Sequence, residues 1–404
     1  MSIKQTTGRL HGLDVLRGVA MLLGVFLHGT ISYKAGYHYG EWVIDEGFKS
    51  YFFDWLYLWI NSFRMQVFFL LAGFFARLLI AKTGLHDFIK NRFKRIAIPF
   101  TLAYFTILPL TLGPYLYFKF MHEGGNTWEQ LKLFYVQFFT FKETYGFMHL
   151  WFLQHLIIFY ALLMGLFYIA PYVRPLFKRI ATLFARPTVR LWQVMLMSIV
   201  IVWIIDQFFL APLPSIWTGF LTPPVQIAYY GFFFLAGWIL EARRDVFSSF
   251  DAGHVVFIVI GTLLSVVNLI VLNQFYAAGA TDPLVRVLLK LGYSIQTILL
   301  VIGIIGLFNT RFTRPNGLWR YLSDSAYWVY LIHMPLVMIF QIMFLDSVVP
   351  GFLRYPLVVI LSYGFSLLSY HYLVRFTWVG YLLNGKKFER SQSIFVGGAV
   401  KKSG

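Results

Sequence analysis

Two polar residues, Arg17 and His28, stand out in the apolar run 13–30, LDVLRGVAMLLGVFLHGT. In an α-helix, eleven residues return to within about 20° of the starting direction, so both side chains share one face roughly 16 Å apart. Arginine and histidine are costly to bury in hydrocarbon, so both are expected to point into the protein. Gly24 lies between them and leaves a groove for another helix or an extended ligand. The run therefore predicts a reaction centre at His28 that a long, charged substrate reaches from the Arg17 end.

An imidazole in a cavity beside cationic groups can transfer an acyl group from a thioester to a hydroxyl. His28 could remove the hydroxyl proton while a cation or imidazolium stabilises the developing oxyanion. His28 could equally be the nucleophile and form an acyl-imidazole intermediate. The chain has no cysteine, no HExxH motif and no clustered carboxylates, which argues against thiol, zinc and paired-acid chemistry. Neither a metal site nor a tightly bound cofactor is expected.

Two further polar residues are predicted at membrane depth. Arg64 lies about twelve residues inside the second apolar run, near the middle of the bilayer, where an unpaired arginine marks function by default. His333 and His28 lie at similar distances from the inner ends of their helices, and Pro335 removes a backbone hydrogen bond beside His333. We therefore predict that His28, Arg64 and His333 share one cavity. The alternatives are an arginine bonded to backbone carbonyls and a histidine that only packs between helices.

The composition identifies a polytopic membrane protein. The 404 residues are 59% hydrophobic and only 13% charged, and the mean hydropathy is +0.68. The net charge of +17 is explained by basic cytoplasmic loops and does not require a nucleic-acid partner. The first apolar run is longer than a signal-peptide core and is interpreted as a retained anchor.

Ten membrane spans are predicted from apolar runs of about 20 residues. They cover residues 13–33, 53–80, 96–118, 148–170, 191–210, 223–240, 255–276, 284–308, 321–345 and 353–376. Most of the 34 Lys and Arg residues fall on the same side as the N-terminus, which favours cytoplasmic N- and C-termini. The predicted fold is thus all-α and polytopic, with one membrane domain at 1–385 and a disordered cytoplasmic tail at 386–404.

The connections between spans suggest where substrates bind. The outer connections 34–52 and 119–147 mix acidic and aromatic residues, as a sugar-binding surface would, although an interfacial aromatic belt has the same composition. The inner segment 82–95, KTGLHDFIKNRFKR, is basic and amphipathic. It could bind a polyphosphate, or it could bind anionic lipid at headgroup level.

The chain resembles the integral-membrane acyltransferase 3 family in five stretches. These are RGVAMLLGVFLH (17–28), FFLLAGF (68–74), KRIAIP (94–99), HLWFL (149–153) and SAYWVYLIHMP (325–335). The stretch SFRMQVFF (62–69), the HLWFL block and the absence of an extra periplasmic domain are most similar to the glucan-biosynthesis protein C group. Ala72 departs from the pattern, because many relatives have serine there, and it receives no role.

The resemblance implies a membrane-bound O-acyltransferase of the bacterial inner membrane. Proteins of the glucan-biosynthesis group are regarded as transferring succinyl groups from cytoplasmic succinyl-CoA to osmoregulated periplasmic glucans. The resemblance makes His28 catalytic and gives Arg17 the handling of the donor. Arg64 and His333 are added from their depth and charge, and Arg64 would bind the free carboxylate of a succinyl group. The expected catalytic residues are His28, Arg17, Arg64 and His333; donor-binding residues are Arg17, Arg77, Lys82, Arg92 and Arg95; acceptor-binding residues are Trp42, His149 and Trp151. Acyl-CoA, periplasmic glucan, membrane lipid and glucan-synthesis proteins are the expected partners, without nucleic acid.

Three alternatives remain open on the sequence. The protein could be an O-acetyltransferase acting on another surface polysaccharide. It could be a transporter or flippase, since ten spans with central polar groups also describe a carrier, although no two-fold repeat or matching broken helices are evident. It could also be a membrane partner of a glucan-exporting machine, with no chemistry of its own.

Overall fold

The structure, a computed structural model, describes residues 11–36, 42–124, 126–140, 146–184, 190–314, 316–386 and 388. Within these residues the chain is helical and contains no strand. The helices are α1 (His11–Thr30), α2 (Tyr51–Asn61), α3 (Arg64–Thr83), α4 (Leu85–Arg92), α5 (Ile98–Glu123), α6 (Thr127–Phe139), α7 (Trp151–Phe184), α8 (Leu191–Asp206), α9 (Pro224–Ala242), α10 (Arg244–Ser248), α11 (His254–Ala277), α12 (Pro283–Arg311), α13 (Gly317–Phe344), α14 (Gly351–Ser369) and α15 (Trp378–Asn384).

The predicted all-α, polytopic membrane fold is confirmed. In the described part of the chain, nine helical segments are long and apolar enough to cross a membrane, and the sixteen-residue α8 is a shorter apolar helix at the fifth predicted span. Of the predicted tail at 386–404, only residues 386 and 388 lie within the described ranges. Residues 37–41 and 141–145 of the two outer connections also lie outside them.

Helix α1 runs through the interior of the bundle. It packs against α13, α12, α3, α2 and α14, and Leu13, Leu16 and Val25 on it are almost fully buried. Because α1 is surrounded by other helices, most of its surface faces protein. His28 on α1 is therefore presented to a neighbouring helix, as its cost in hydrocarbon requires. The Arg17 side chain, in contrast, is 44% exposed, which contradicts the expectation that it points into the protein.

The second predicted span is broken in the middle, contrary to the single helix expected over 53–80. Helix α2 ends at Asn61 and α3 begins at Arg64, because Phe63 has a non-helical conformation with φ −129° and ψ −26°. The hydroxyl of Ser62 accepts a hydrogen bond from Nε2 of Gln296 on α12, 2.9 Å away, which holds the break in place. The break puts the positive end of the α3 dipole inside the bundle, at Arg64.

The position of α3 is fixed by direct backbone contact with α9. A Cβ atom at Gly73 would lie 1.9 Å from the carbonyl oxygen of Phe234, and one at Gly237 would lie 1.8 Å from that of Leu70. Only glycine permits this approach at both positions. Because the two helices cannot slide apart without losing this contact, the N-terminus of α3 is held at a defined depth.

The outer connection predicted at 119–147 contains an additional helix, α6. Asn126 caps it by accepting a hydrogen bond from the backbone N–H of Glu129, 3.3 Å away. Trp128, Val136 and Phe139 are exposed apolar residues on its surface, while Phe134 is buried. This amphipathic pattern indicates a helix that lies along the outer face of the bundle.

Candidate active site

A cavity of about 300 Å³ lies among the membrane helices and the segments predicted to face outwards. Its size is at the lower end of the range typical of small-molecule sites. His28 borders it, as do all three predicted acceptor-binding residues, Trp42, His149 and Trp151. Its other lining residues are Ile31, Lys34, Asp54, Tyr57, Leu58, Asn61, Met148, Leu213, Pro214, Ser215, Ile216, Thr218, Leu269, Leu272, Asn273 and Met334.

The imidazole of His28 is held against the indole of Trp42. The two rings are stacked, with centroids 5.9 Å apart and an interplanar angle of 19°. The indole N–H of Trp42 donates to Oε1 of Gln341 at 3.0 Å, and Nε2 of Gln341 donates to the carbonyl oxygens of His28 and Gly29, each at 3.2 Å. Gln341 on α13 therefore ties Trp42 to the end of α1 that carries His28.

His333 lies beside His28, as the sequence predicts, but neither His333 nor Arg64 lines the cavity that His28 borders, so the prediction that all three share one cavity is wrong. Their ring centroids are 5.4 Å apart, and the His333 side chain is only 1% exposed. Nδ1 of His333 hydrogen-bonds to the carbonyl oxygen of Tyr330 at 2.6 Å. Because a carbonyl oxygen can only accept, Nδ1 carries the proton and Nε2 of His333 carries the lone pair.

His149 joins this group through a gap that Pro335 leaves in helix α13. Proline has no N–H, so the carbonyl of Leu331, four residues earlier, lacks its usual helical donor. Nε2 of His149 supplies one at 3.1 Å, and the hydroxyl of Tyr330 donates to the carbonyl oxygen of His149 at 2.7 Å. These two bonds fasten the start of α7 to α13 and place His149 with its ring centroid 5.9 Å from that of His333.

The three clustered histidines are not arranged as a metal site. Nδ1 of His333 and Nε2 of His149 are both bonded to backbone carbonyls. Within the described ranges, no group of three or more histidine, aspartate or glutamate side chains could hold a metal ion.

Arg64 supplies a buried positive charge next to the histidines. It is 6% exposed, and a Cβ atom at Gly24 would lie 3.1 Å from its Nη1 and 3.3 Å from Nε2 of His333. Among the described residues, Arg64 forms no salt bridge with a carboxylate, and the groups that interact with it electrostatically are tyrosine and histidine side chains, including those of His28 and His333. The space at Gly24 is therefore filled by a guanidinium and an imidazole from neighbouring helices, and it is not the open groove for an extended ligand that the sequence suggested. A buried cation without a counter-ion is a binding site for an anionic group.

Enlarging Gly24 should disturb both groups without removing either of them. The side chain of a Gly24→Val variant would overlap the space held by Arg64 and His333, whereas Gly24→Ala adds one methyl group, whose contacts of 3.1 and 3.3 Å require shifts of only a few tenths of an ångström. We expect Gly24→Val to lower kcat for acyl transfer about 100-fold, the effect typical of small displacements of reacting groups. Gly364→Val is the matched control, because nothing lies within 4 Å of a Cβ atom there. Equal activity of both valine variants would contradict this assignment.

A second cluster of cations lies near the opposite end of α1. Arg17, Arg92 and Arg95 are close enough to interact electrostatically, and the charge of Asp324 acts on both Arg17 and Arg95. The guanidinium of Arg17 lies 5.2 Å from the ring centroid of Phe75 and 3.5 Å from Asp14. Asp14 pairs with Arg17 and Asp324 pairs with Lys386 at 3.0 Å, so the three guanidinium groups together with Lys386 still outnumber the carboxylates and leave a positive surface suited to phosphates.

The other two residues predicted to bind the donor lie apart from this cluster. Nε of Arg77 pairs with Glu241 at 3.1 Å, and its guanidinium lies over the ring of Trp238. Glu241 also pairs with Arg244 at 2.8 Å. Lys82 is exposed at the end of α3. The structure thus brings together Arg17, Arg92 and Arg95 and separates Arg77 and Lys82 from them.

Lys34 and Asp54 are cavity residues that the sequence interpretation missed. The Asp54 carboxylate accepts hydrogen bonds from the backbone N–H groups of Ala35 and Gly36 and lies 3.9 Å from Nζ of Lys34. Burial lowers the pKa of Lys34, and the negative charge of Asp54 opposes this shift. The available signal was an aspartate inside an apolar run, which resembles the signal that singled out Arg64. Gln341, a polar residue within an apolar helix, gave the same kind of signal.

Comparison with known proteins agrees with this architecture. Residues 10–371 match the sequence profile described as acyltransferase domain. The chain is 24% identical to the glucans biosynthesis protein C of Salmonella gallinarum and to that of Salmonella paratyphi B, and 23% identical to that of Salmonella typhi. Each alignment covers 95% of this chain and 97% of the relative. No solved structure matches the chain.

Proposed function

The chain belongs to the acyltransferase domain family, and from this premise we propose that it moves a succinyl group from succinyl-CoA to hydroxyls of a periplasmic glucan. The donor would bind on the cytoplasmic side of a bacterial inner membrane and the glucan on the periplasmic side. No tightly bound cofactor is needed, since the acyl-CoA is a co-substrate. The names of the relatives support the glucan as acceptor, and the charge distribution of the site supports a dicarboxylic acyl group.

One observation carries the proposal: the imidazole of His28 borders a cavity and lies beside a buried guanidinium that has no carboxylate partner among the described residues. In acyl transfer, the hydroxyl oxygen of the acceptor attacks the thioester carbon and the C–S bond breaks. The hydroxyl proton passes to His28 and then to the CoA thiolate, so the enzyme returns to its starting state. An acyl-imidazole on His28 would reach the same products in two steps.

The positive charge around Arg64 has two uses in this reaction. It can bind the terminal carboxylate of the succinyl group, or it can stabilise the oxyanion that forms on the thioester carbonyl. The N-terminus of α3 adds a partial positive charge at the same place. The terminal carboxylate of a bound succinyl group, which an acetyl group lacks, is a counter-ion for the buried cation throughout the reaction. We therefore favour succinyl as the transferred group.

The cluster of Arg17, Arg92 and Arg95 is the proposed site for the phosphates of CoA. It lies near the end of α1 that the charge distribution predicts to be cytoplasmic. Arginine binds phosphate oxygens through two parallel N–H donors, which makes a cluster of three well suited to a nucleotide with several phosphates. From there, the pantetheine arm would have to span roughly 16 Å along α1 to bring the thioester to His28.

Arg92→Ala and Arg95→Ala are each expected to raise KM for succinyl-CoA about 10-fold, because each removes a charge-assisted hydrogen bond to phosphate. Succinyl-pantetheine lacks the nucleotide and its phosphates, so its KM should be the same in each variant as in the wild type. Arg244→Ala is the control, since Arg244 pairs with Glu241 away from the cluster. Steady-state kinetics with both thioesters check the prediction. An equal rise in KM for both donors would contradict phosphate binding.

The acceptor would bind in the cavity itself. Aromatic faces and amide or hydroxyl groups line it together, the combination that fixes a polar ligand with apolar faces such as a sugar ring. The aromatic residues are Trp42, Tyr57 and Trp151, and the polar ones include Asn61, Asn273, Ser215 and Thr218. His149 borders the same space. This arrangement supports a glycan hydroxyl as the attacking group.

Reconstituted vesicles with labelled succinyl-CoA and a glucan on opposite sides test the proposal. Time-dependent labelling of glucan hydroxyls, blocked when either substrate is omitted, is the expected result. Transport of the glucan or of succinyl-CoA across the vesicle without covalent change would identify a carrier and overturn the proposal. Labelling with acetyl-CoA at a higher kcat/KM than with succinyl-CoA would retain the enzyme but overturn the choice of acyl group.

A further inference from the structure

The ring nitrogen atoms of His28 and His333 indicate how these two side chains interact. Nδ1 of His28 and Nε2 of His333 are both buried and have no hydrogen-bond partner among the described residues. The two rings are neighbours, with centroids 5.4 Å apart and an interplanar angle of 44°. Buried nitrogen atoms without partners are costly, and a hydrogen bond between these neighbouring rings would satisfy both atoms, although the structure itself contains no bond between them.

The direction of that hydrogen bond follows from the backbone of α13. Nδ1 of His333 is committed to the carbonyl oxygen of Tyr330, so Nε2 of His333 has only a lone pair to offer while the ring is neutral. Arg64, a fixed positive charge beside the ring, favours its neutral form. The partner that satisfies Nε2 of His333 must therefore be a donor.

We propose that His333 is a positioning residue that accepts a hydrogen bond from Nδ1–H of His28 and thereby leaves the lone pair of His28 on Nε2, toward the cavity. The carbonyl of Tyr330, His333 and His28 then form a relay in which each group fixes the tautomer of the next. Trp42, stacked on the face of His28, prevents the ring from turning over. This inference rests on the proposed function for its catalytic meaning, but the tautomer itself does not depend on any substrate.

The relay explains how a histidine can be reactive in a site that already contains a guanidinium. With its proton held on Nδ1, His28 presents Nε2 to the cavity as base or as nucleophile, which is the logic of a hydrolytic triad in which a third group orients the imidazole. Arg64 also flanks Nε2 of His333 and is the competing donor for it. If Arg64 filled that role, His333 would have no effect on the tautomer of His28.

Nitrogen-15 NMR of histidine-labelled protein in nanodiscs tests the tautomer directly, and the His28→Gln variant assigns the signals of His28. The expected spectrum shows Nδ1 of His28 protonated and Nε2 unprotonated, and His333→Ala is expected to shift His28 toward the other tautomer. Protonation of Nε2 in the wild type, or a spectrum that His333→Ala leaves unchanged, would overturn the inference. Because this measurement requires no turnover, it remains decisive even if the protein fails to acylate a glucan.

Two variants of His333 separate positioning from packing. The amide oxygen of His333→Gln can occupy the place of Nε2 and accept from His28, whereas that of His333→Asn is one methylene too short. We expect Gln to retain kcat within about 10-fold of the wild type and Asn to lose 100-fold or more, with little change in KM for either substrate, in line with the usual scale of acid–base assistance. Equal losses in Gln and Asn, or losses confined to KM, would indicate a packing role and overturn the inference.

Discussion

Replacing His28 by glutamine is expected to lower kcat for acyl transfer about 1,000-fold or more, because the variant loses the proton acceptor or nucleophile of the reaction. Glutamine fills similar space and can hydrogen-bond but cannot accept a proton near neutral pH. The bonds from Gln341 to this part of α1 use backbone carbonyls, so they survive the substitution. We therefore expect the variant to fold and to bind succinyl-CoA normally. Initial rates of glucan labelling, together with donor binding by calorimetry, check both expectations.

The control for His28 is His371→Gln. His371 lies in the segment Tyr370–Val374 that follows α14, and its ring faces the side chains of Tyr321, Tyr372 and Phe376. It should therefore retain the wild-type rate. If His28→Gln modified glucans as fast as this control, the protein would have no acyl-transfer chemistry at His28. That result would favour a membrane partner of another enzyme.

The Arg64→Gln variant should lose much more activity with succinyl-CoA than with acetyl-CoA. If the guanidinium binds the free carboxylate of the succinyl group, its loss leaves that carboxylate buried and unpaired, and kcat/KM for succinyl-CoA should fall about 100-fold. Acetyl-CoA has no such carboxylate, so kcat/KM for it should fall about 10-fold or less. The ratio of the two losses, measured on one preparation of the variant, is the quantity that tests the role.

Stability measurements separate this role from a structural one. Arg64 is buried without a carboxylate partner among the described residues, so removing its charge relieves a desolvation cost. We expect the Tm of Arg64→Gln to equal or exceed that of the wild type. Equal losses of activity with both donors would show that Arg64 stabilises the oxyanion or the fold, and not the succinyl carboxylate.

The sequence could predict those features of the fold and of the site that depend on a single helix. Hydropathy located the spans, and the face shared by Arg17 and His28 followed from helical geometry alone. The meeting of His28 and His333 also followed, because depth in a bilayer can be counted from the end of each helix. Because every spanning helix crosses the same bilayer, the sequence gives an approximate depth for each residue in a span.

Features that depend on contacts between distant segments could not be predicted. The break before Arg64 is held by a bond from Gln296, which lies more than 230 residues further along the chain. Arg77 resembled the other basic residues near the inner face until Glu241 on α9 was found to pair with it. In both cases the local sequence is compatible with either outcome, and tertiary packing decides between them.

The bond between His149 and the carbonyl freed by Pro335 has an evolutionary consequence. A proline-to-alanine change at position 335 adds a backbone N–H there that competes with the His149 ring for the carbonyl oxygen of Leu331, so it is not expected to be neutral by itself. The two positions, 186 residues apart, should therefore change together as protein families diverge. Lineages that keep an uninterrupted helix at position 335 are expected to carry a residue at position 149 that has no ring N–H to donate.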